Sequence, residues 1–275
     1  MAYAYRQGAH ERSGRPAAFG RRHAGLLAAI AAVCAWEAAG RVFGVPTDLL
    51  PTPSRIVMEI WRRRTLLWSN GYLTFLAATV GLLLAGVTAL LVGCAGILSA
   101  KILAMADRMT RGAAMIPAAA AAPILLVWLG FGMSSRTAVA WSFSVLFVVH
   151  GVSAALRRTP AELAEWLRAT GAGAFLRIRK VYGPGLLPFL LRDLRRALPL
   201  AASGALTAEV IAADEGLGHL MVRGAAAGDV CLLFAALCLA MLFVAAAAAV
   251  IRLMEKLTFG RSLAVLPGAH ASVLW

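Results

Sequence analysis

The chain has 275 residues, of which 61% are hydrophobic and only 15% are charged. A soluble domain is about half apolar and about a quarter charged, and a soluble core of this size could not bury so much apolar side chain. The composition therefore excludes an ordinary soluble protein and predicts that lipid surrounds much of the surface. The net charge of +14 does not indicate nucleic-acid binding, because the basic residues lie between apolar runs rather than on one amphipathic face.

Six apolar segments are long enough for membrane-spanning helices, each of which needs about 20 mostly apolar residues. In chain order they are 24–43, 72–98, 112–130, 137–156, 197–214 and 230–251. Pro199 and Glu209 interrupt the fifth segment. The first segment lacks a convincing cleavage site, so it is predicted to be a retained helix rather than a signal peptide. The predicted all-α membrane protein has a basic N-terminal segment, a transmembrane domain and a tail, at 1–23, 24–256 and 257–275.

The Lys and Arg residues predict the orientation of these helices, because they concentrate in cytoplasmic loops. With six spans, 20 of them fall on the side of both termini and seven on the opposite side. Both termini are therefore predicted to be cytoplasmic. The run Arg62-Arg63-Arg64 opposes this assignment. We attribute it to an interfacial helix within 53–68, which also carries Trp61 and Trp68.

No sequence motif indicates an enzyme. A G-x4-G-K-[ST] phosphate loop is absent, and Gly171-Ala172-Gly173 has no preceding strand, so it indicates a turn. The five histidines are scattered, and the four cysteines lie in apolar stretches without a C-x-x-C pair. This pattern favours packing residues over metal ligands. The sequence therefore predicts no catalytic residue, no cofactor and no metal site.

The polar connection 157–196 is too long for a simple connector and has a helix pattern of its own. Thr159 is a predicted N-cap, Pro160 fits the first helical position, and Glu162 completes a capping box. One apolar face follows at helical spacing and contains Leu163, Trp166 and Leu167. This helix is too short to cross a bilayer, so it is predicted to lie at the cytoplasmic surface.

Two further signals divide this connection. Gly171 is predicted to end the first helix. A second short helix is predicted over 173–182, and the dipeptide Gly183-Pro184 is predicted to end it because proline cannot continue a helix.

The connection resembles the cytoplasmic loop of binding-protein-dependent ABC importer permeases. The family pattern is E-A-A, three residues, G, nine residues, I, one residue, L-P. Glu165, Gly171, Val181 and Pro184 stand at these spacings. Four letters depart from the pattern: Trp166 and Leu167 replace the two alanines, Val181 replaces the isoleucine, and Gly183 replaces the leucine.

Three other segments resemble the nitrate/sulfonate/taurine-type branch of these permeases, in the same order along the chain. Leu50-Pro51-Thr52-Pro53-Ser54 is similar to its L-P-S-P segment. A run with Pro117, Pro123, Trp128 and Gly130 is similar to its P-x5-P-L-x3-W-F-G run. Ala208-Glu209-Val210-Ile211, followed by Gly216-Leu217-Gly218, is similar to its A-E-x-I … G-I-G segment.

The resemblance implies the importer permease fold, working by alternating access in the bacterial cytoplasmic membrane. It implies a permease homodimer in lipid, two separate ATP-binding cassette ATPase subunits, and a periplasmic or lipid-anchored substrate-binding protein. The implied contacts with the ATPase are Glu165, Trp166, Leu167, Gly171 and Pro184. The implied substrate is a small sulfonate, taurine or nitrate. A thiamine or flavin precursor is the alternative, since relatives carry these solutes too.

Pro117, Pro123 and Glu209 are candidates for the pathway or gate. The prolines free backbone carbonyls, which membrane helices tolerate where they face protein or a wet cavity, but close packing explains them equally well. An acid within a span is expensive and often functional. Glu209 either lines the pathway or gate, or makes a structural hydrogen bond. For Glu37, in the first span, we favour the structural contact.

Two other classes of protein remain open. A secondary transporter or channel would explain the hydrophobicity but not the spaced loop motif. A membrane-embedded enzyme would need a convergent cluster of titratable residues, and the sequence suggests none.

Overall fold

The computed structural model describes residues 17–46, 49–113, 115–157, 169, 171, 173–176, 178 and 182–259. This part of the chain is helical and contains no strand, which confirms the predicted all-α class. The helices, numbered here in chain order, are α1 (Ala17–Val42), α2 (Pro53–Arg62), α3 (Arg64–Leu98), α4 (Ala100–Ala113), α5 (Ala118–Leu129), α6 (Met133–Arg157), α7 (Ala174–Leu176), α8 (Gly183–Ala212), α9 (Leu217–Ala226) and α10 (Val230–Phe259).

Three of these helices, α3, α6 and α10, are long and apolar enough to cross a membrane. Two pairs also qualify if each pair is taken as one bent span: α4 with α5, at 98°, and α8 with α9, at 47°. The described residues thus provide three to five candidate spans. The predicted count of six is consistent with them but is not confirmed, because α1, over most of the predicted span 24–43, is not among them.

Two local predictions are wrong. The span predicted at 112–130 is not one continuous helix, because α4 ends at Ala113 and α5 begins at Ala118, so Pro117 precedes α5. Gly183-Pro184 does not end a helix but begins α8, where the missing N–H of proline costs nothing in the first turn. The prediction for 160–170 falls almost wholly outside the described residues.

The helix predicted near the outer interface is present as α2 and is tied down at both ends. At its start, the Ser54 N–H donates to Glu37 Oε2 at 2.9 Å, and the Ser54 hydroxyl donates to Glu37 Oε1 at 2.7 Å. The structural role favoured for Glu37 is therefore confirmed. At its end, Arg63 pairs with Glu59 at 2.5 Å and with Asp229 at 2.8 Å. Arg63 is therefore held by two carboxylates, one on α2 and one just before α10.

The core is formed where α6 packs between α3 and α8. Its buried side chains are mostly small or branched aliphatics on these three helices. Two glycines allow the close approach. A Cβ on Gly81 of α3 would lie 2.6 Å from Ala140 Cβ and 2.9 Å from Thr137 O, and a Cβ on Gly204 of α8 would lie 2.8 Å from Val139 O. The helix backbones can therefore meet only because these positions lack side chains.

We expect Gly81→Ala to destabilise the protein by about 1–3 kcal/mol, because the added methyl forces α3 and α6 apart. The matched control is Gly25→Ala on α1, where a Cβ meets nothing within 4 Å. It should be neutral or slightly stabilising, since alanine favours helix. Thermal unfolding midpoints in detergent measure both effects, and equal midpoints would contradict the close packing of α3 on α6.

Candidate functional site

The bend between α8 and α9 requires an unusual helix start. Helix α8 ends at Ala212, and α9 begins at Leu217 after Gly216, whose φ is +111°. The first N–H groups of any helix have no partner within the helix. A serine or aspartate usually caps them, but Gly216 has no side chain with which to do so. The start of α9 must therefore find its hydrogen-bond acceptors elsewhere in the protein.

Side chains from two other helices supply these acceptors. The Gly216 N–H donates to Asn70 Oδ1 at 2.7 Å, and the Leu217 N–H donates to Thr74 Oγ1 at 2.9 Å. The Gly218 N–H donates to Glu209 Oε2 at 2.9 Å, and the Thr74 hydroxyl donates to the same oxygen at 2.9 Å. We call Asn70, Thr74 and Glu209 the capping cluster. It joins α3, α8 and α9 at one point.

Gly216 and Gly218, which donate to the capping cluster, have no room for a side chain. A Cβ on Gly216 would lie 2.2 Å from Glu209 Cδ, and a Cβ on Gly218 would lie 2.7 Å from Leu206 O and 2.8 Å from Glu209 Cβ. A real Cβ atom essentially never approaches another heavy atom within 3.0 Å. The acid and the glycines that follow it, singled out in the sequence as A-E-x-I and G-L-G, therefore form one packed unit.

A buried arginine, Arg136 of α6, lies near Glu209; the two residues are 8% and 1% exposed. No ion pair within 4 Å joins the two side chains in the described part of the chain. Within that same part, Glu209 Oε1 and Arg136 Nε lack hydrogen-bond partners. The cluster can therefore hold a helix bend by hydrogen bonds.

A metal site is not formed by the described residues, which contain no group of three or more potential His, Cys, Asp or Glu ligands.

The other two gate candidates lie at the start of α5 and within it, away from the capping cluster. Pro117 directly precedes this helix and Pro123 lies inside it, and both side chains are exposed. The contact with the cluster runs instead through Ala122, which is buried with Val139 and with Ala208, the neighbour of Glu209. The structure therefore places α5 beside the bend but does not bring its prolines to Glu209.

The predicted coupling residues are described only in part. Glu165, Trp166 and Leu167 lie outside the described residues. Gly171 forms a turn with φ +66°, and a Cβ there would meet nothing within 4 Å. The left-handed turn allowed for at this position is therefore present. Pro184 lies in the first turn of α8.

Sequence reasoning missed Asn70, Thr74 and Arg136. Asn70 and Thr74 are four residues apart, so they share one face of α3. Polar residues at this spacing beside an apolar run predict a contact with another helix, because the bilayer offers them no partner. The sequence therefore indicated that Asn70 and Thr74 contact another helix. It did not indicate the partner, which is a set of backbone N–H groups.

Residues 93–259 match the family of binding-protein-dependent transport system inner membrane components. The chain belongs to this family. It is therefore an ABC importer permease, a transport protein rather than an enzyme, and the predicted resemblance is confirmed. Such a permease works with ATPase subunits and a substrate-binding protein.

Three curated relatives of this permease are named for the transport of different solutes. It is 31% identical over 216 residues to the riboflavin transport system permease protein RibX of Chloroflexus aurantiacus, covering 74% of this chain and 76% of that protein. It is 31% identical over 196 residues to the formylaminopyrimidine transport permease protein ThiX of Halalkalibacterium halodurans, covering 68% and 75%. The putative aliphatic sulfonates transport permease protein SsuC of Bacillus subtilis is 25% identical over 201 residues, covering 72% of each chain.

The permease fold also resembles a solved structure, an inward-facing conformation of the MetNI methionine ABC transporter. The TM-score is 0.51 at 19% sequence identity, and the match covers 77% of this chain and 98% of that chain. This likeness confirms the fold.

We expect Thr74→Val to destabilise the permease by about 1–3 kcal/mol, because the Leu217 N–H and Glu209 each lose a buried hydrogen bond while the side-chain volume is kept. Thr207→Val on α8 is the matched control, since the Thr207 hydroxyl bonds only to Ser203 O of its own helix at 2.7 Å. Thermal midpoints in detergent should fall for the first variant alone. An equal fall in both would mean that the capping cluster adds no stability.

Proposed function

We propose that this permease imports a small heteroaromatic solute, of the flavin or pyrimidine-precursor class, through the cytoplasmic membrane of a bacterium. Two copies form the pathway, and two ATPase subunits drive it by alternating access. A periplasmic or lipid-anchored binding protein delivers the solute. Both termini and the coupling loop, which runs from 157 to the start of α8 at Gly183, are cytoplasmic. Membership of the permease family over 93–259 is the observation that carries this proposal.

The solute class is supported by similarity. The relatives named for riboflavin and formylaminopyrimidine are 31% identical to this chain, and the relative named for sulfonates is 25% identical. A sulfonate, taurine or nitrate remains the second candidate because of the resemblance to that branch.

The capping cluster is proposed to hold the gate. Glu209 fixes the bend between α8 and α9, and α5, with Pro117 and Pro123, lies beside that bend along the pathway. The freed carbonyls of a proline-broken helix would then face the solute rather than lipid. In this proposal Glu209 braces the gate and does not bind the solute, because its exposure is only 1%.

The coupling loop is proposed to enter a groove on the ATPase. The helix predicted from the sequence at 160–170 would offer Trp166 and Leu167 as anchors, and an aromatic anchor often contributes most to such contacts. Glu165, Gly171 and Pro184 set the ends and direction of the loop.

The purified permease should hydrolyse no ATP alone and should retain its ATPase subunits in a pull-down. Vesicles with the complete transporter should accumulate labelled riboflavin or formylaminopyrimidine in preference to an alkanesulfonate. Intrinsic ATP turnover without partners would overturn the permease proposal. Preferred uptake of the alkanesulfonate would overturn only the solute class.

Gly171→Val should uncouple ATP hydrolysis from transport, because a side chain resists φ +66° by about 1–2 kcal/mol and the loop changes direction. Gly228→Val is the matched control. Gly228 has φ +69° and equally free space, but it lies between α9 and α10. The ratio of uptake to ATP hydrolysis should fall in the first variant and hold in the second. A fall in both would show general strain rather than a role in coupling.

A further inference from the structure

An ion pair between a buried carboxylate and a half-exposed arginine joins α4 to the start of the coupling loop. Asp107 of α4 is only 3% exposed, and Arg157 Nη2 forms an ion pair with its Oδ2. Arg157 is the last residue of α6, so the coupling loop begins at this contact. Arg111, on α4 itself, also approaches Asp107, at 3.6 Å. Arg157 is therefore the nearer of two cations that compensate the buried charge.

This pair differs from a surface salt bridge in its consequences. An exposed pair contributes little, because water and salt screen both charges. A buried carboxylate that loses its cation is left uncompensated, which is strongly unfavourable. Separation from Arg157, the nearer of its two cations, is therefore unfavourable for Asp107. We accordingly expect a displacement of the coupling loop to draw α4 with it.

Helix α4 is placed to pass such a displacement towards the bend. It packs closely on α3, where a Cβ on Gly96 would lie 3.0 Å from Leu103 Cδ1. The chain then turns by 98° into α5. Ala122 of α5 packs with Ala208, beside the capping cluster. Packing contacts at both ends and the chain connection from α4 to α5 thus link the coupling loop to the proposed gate.

We propose that Asp107 is a positioning residue for transport. Through its ion pair with Arg157, it makes α4 and α5 follow the coupling loop when the ATPase subunits bind ATP. The proposal rests on the proposed function and adds to it the route by which the ATPase reaches the gate. The solute's identity does not affect it.

The experiment follows α5 directly in the complete transporter, reconstituted in lipid nanodiscs with its ATPase subunits. A reporter cysteine replaces Val127, whose exposure on α5 is 77%, and the four native cysteines are changed to alanine. The rate of labelling by a soluble maleimide is measured without nucleotide and with ATP and vanadate. ATPase binding and ATP hydrolysis are measured in the same samples.

The variants separate the ion pair from general effects of charge. Asp107→Asn removes the carboxylate charge at constant shape, and Arg157→Gln removes the cation. Arg157→Lys keeps the cation and serves as the rescue. Arg108→Gln, an exposed position on the same helix, is the control for loss of a neighbouring charge. Arg157 is half exposed, so Arg157→Gln decides the matter if Asp107→Asn fails to assemble.

Without these substitutions, we expect the labelling rate to differ at least about fivefold between the two states, as for a coupling of ordinary size. Asp107→Asn and Arg157→Gln should reduce the difference to less than about twofold while ATPase binding and hydrolysis continue. Arg157→Lys and Arg108→Gln should keep it. The proposal is overturned if α5 responds equally in Asp107→Asn or Arg157→Gln, or if the reporter transporter shows no response at all. Failure of the permease to bind any ATPase would instead refute the proposed function.

Discussion

The fold depends on one constraint: a helix that starts inside a membrane protein must find partners for its first N–H groups within the protein. Lipid offers none, and each unsatisfied group costs several kcal/mol. Here Asn70, Thr74 and Glu209 accept the N–H groups of Gly216, Leu217 and Gly218. Because the acceptors come from α3 and α8, the bend exists only when these helices are already packed together. The bend between α8 and α9 therefore depends on the packing of the whole helix bundle and not on the local sequence alone.

The charged residues follow the same logic at the helix ends. Arg63 connects α2 to the start of α10 through Asp229, Asp107 connects α4 to α6, and Arg195 connects α8 to Glu255 of α10 at 3.1 Å. Each pair joins two helices rather than two turns of one helix. Apolar packing between helices gains little in lipid, because lipid tails are as apolar as the side chains. Paired charges and closely fitting glycines therefore select which helices are neighbours.

The sequence was sufficient for the class and the family, because long apolar runs and spaced motifs carry them. It also located Glu209 and the glycines after it. It failed where the outcome depends on a partner far along the chain. Nothing local to Asn70 and Thr74 indicates that they cap a helix about 145 residues later. The break between α4 and α5 is a local feature, and it was missed because composition alone does not distinguish a bent apolar segment from a straight one.

Helix α6 connects the two polar features of the molecule. Arg136, near its start, lies close to Glu209, and Arg157, at its end, forms an ion pair with Asp107. At 1.5 Å per residue these arginines are about 30 Å apart along the helix, close to the thickness of a bilayer core. Near its middle, α6 packs closely at Ala140 against Gly81 of α3 and Gly204 of α8. A helix held this closely cannot bend or slip alone, so a shift of Arg157 must move Arg136 or carry α3 and α8 along. In either case the effect arrives at the capping cluster, because that cluster contains residues of both α3 and α8.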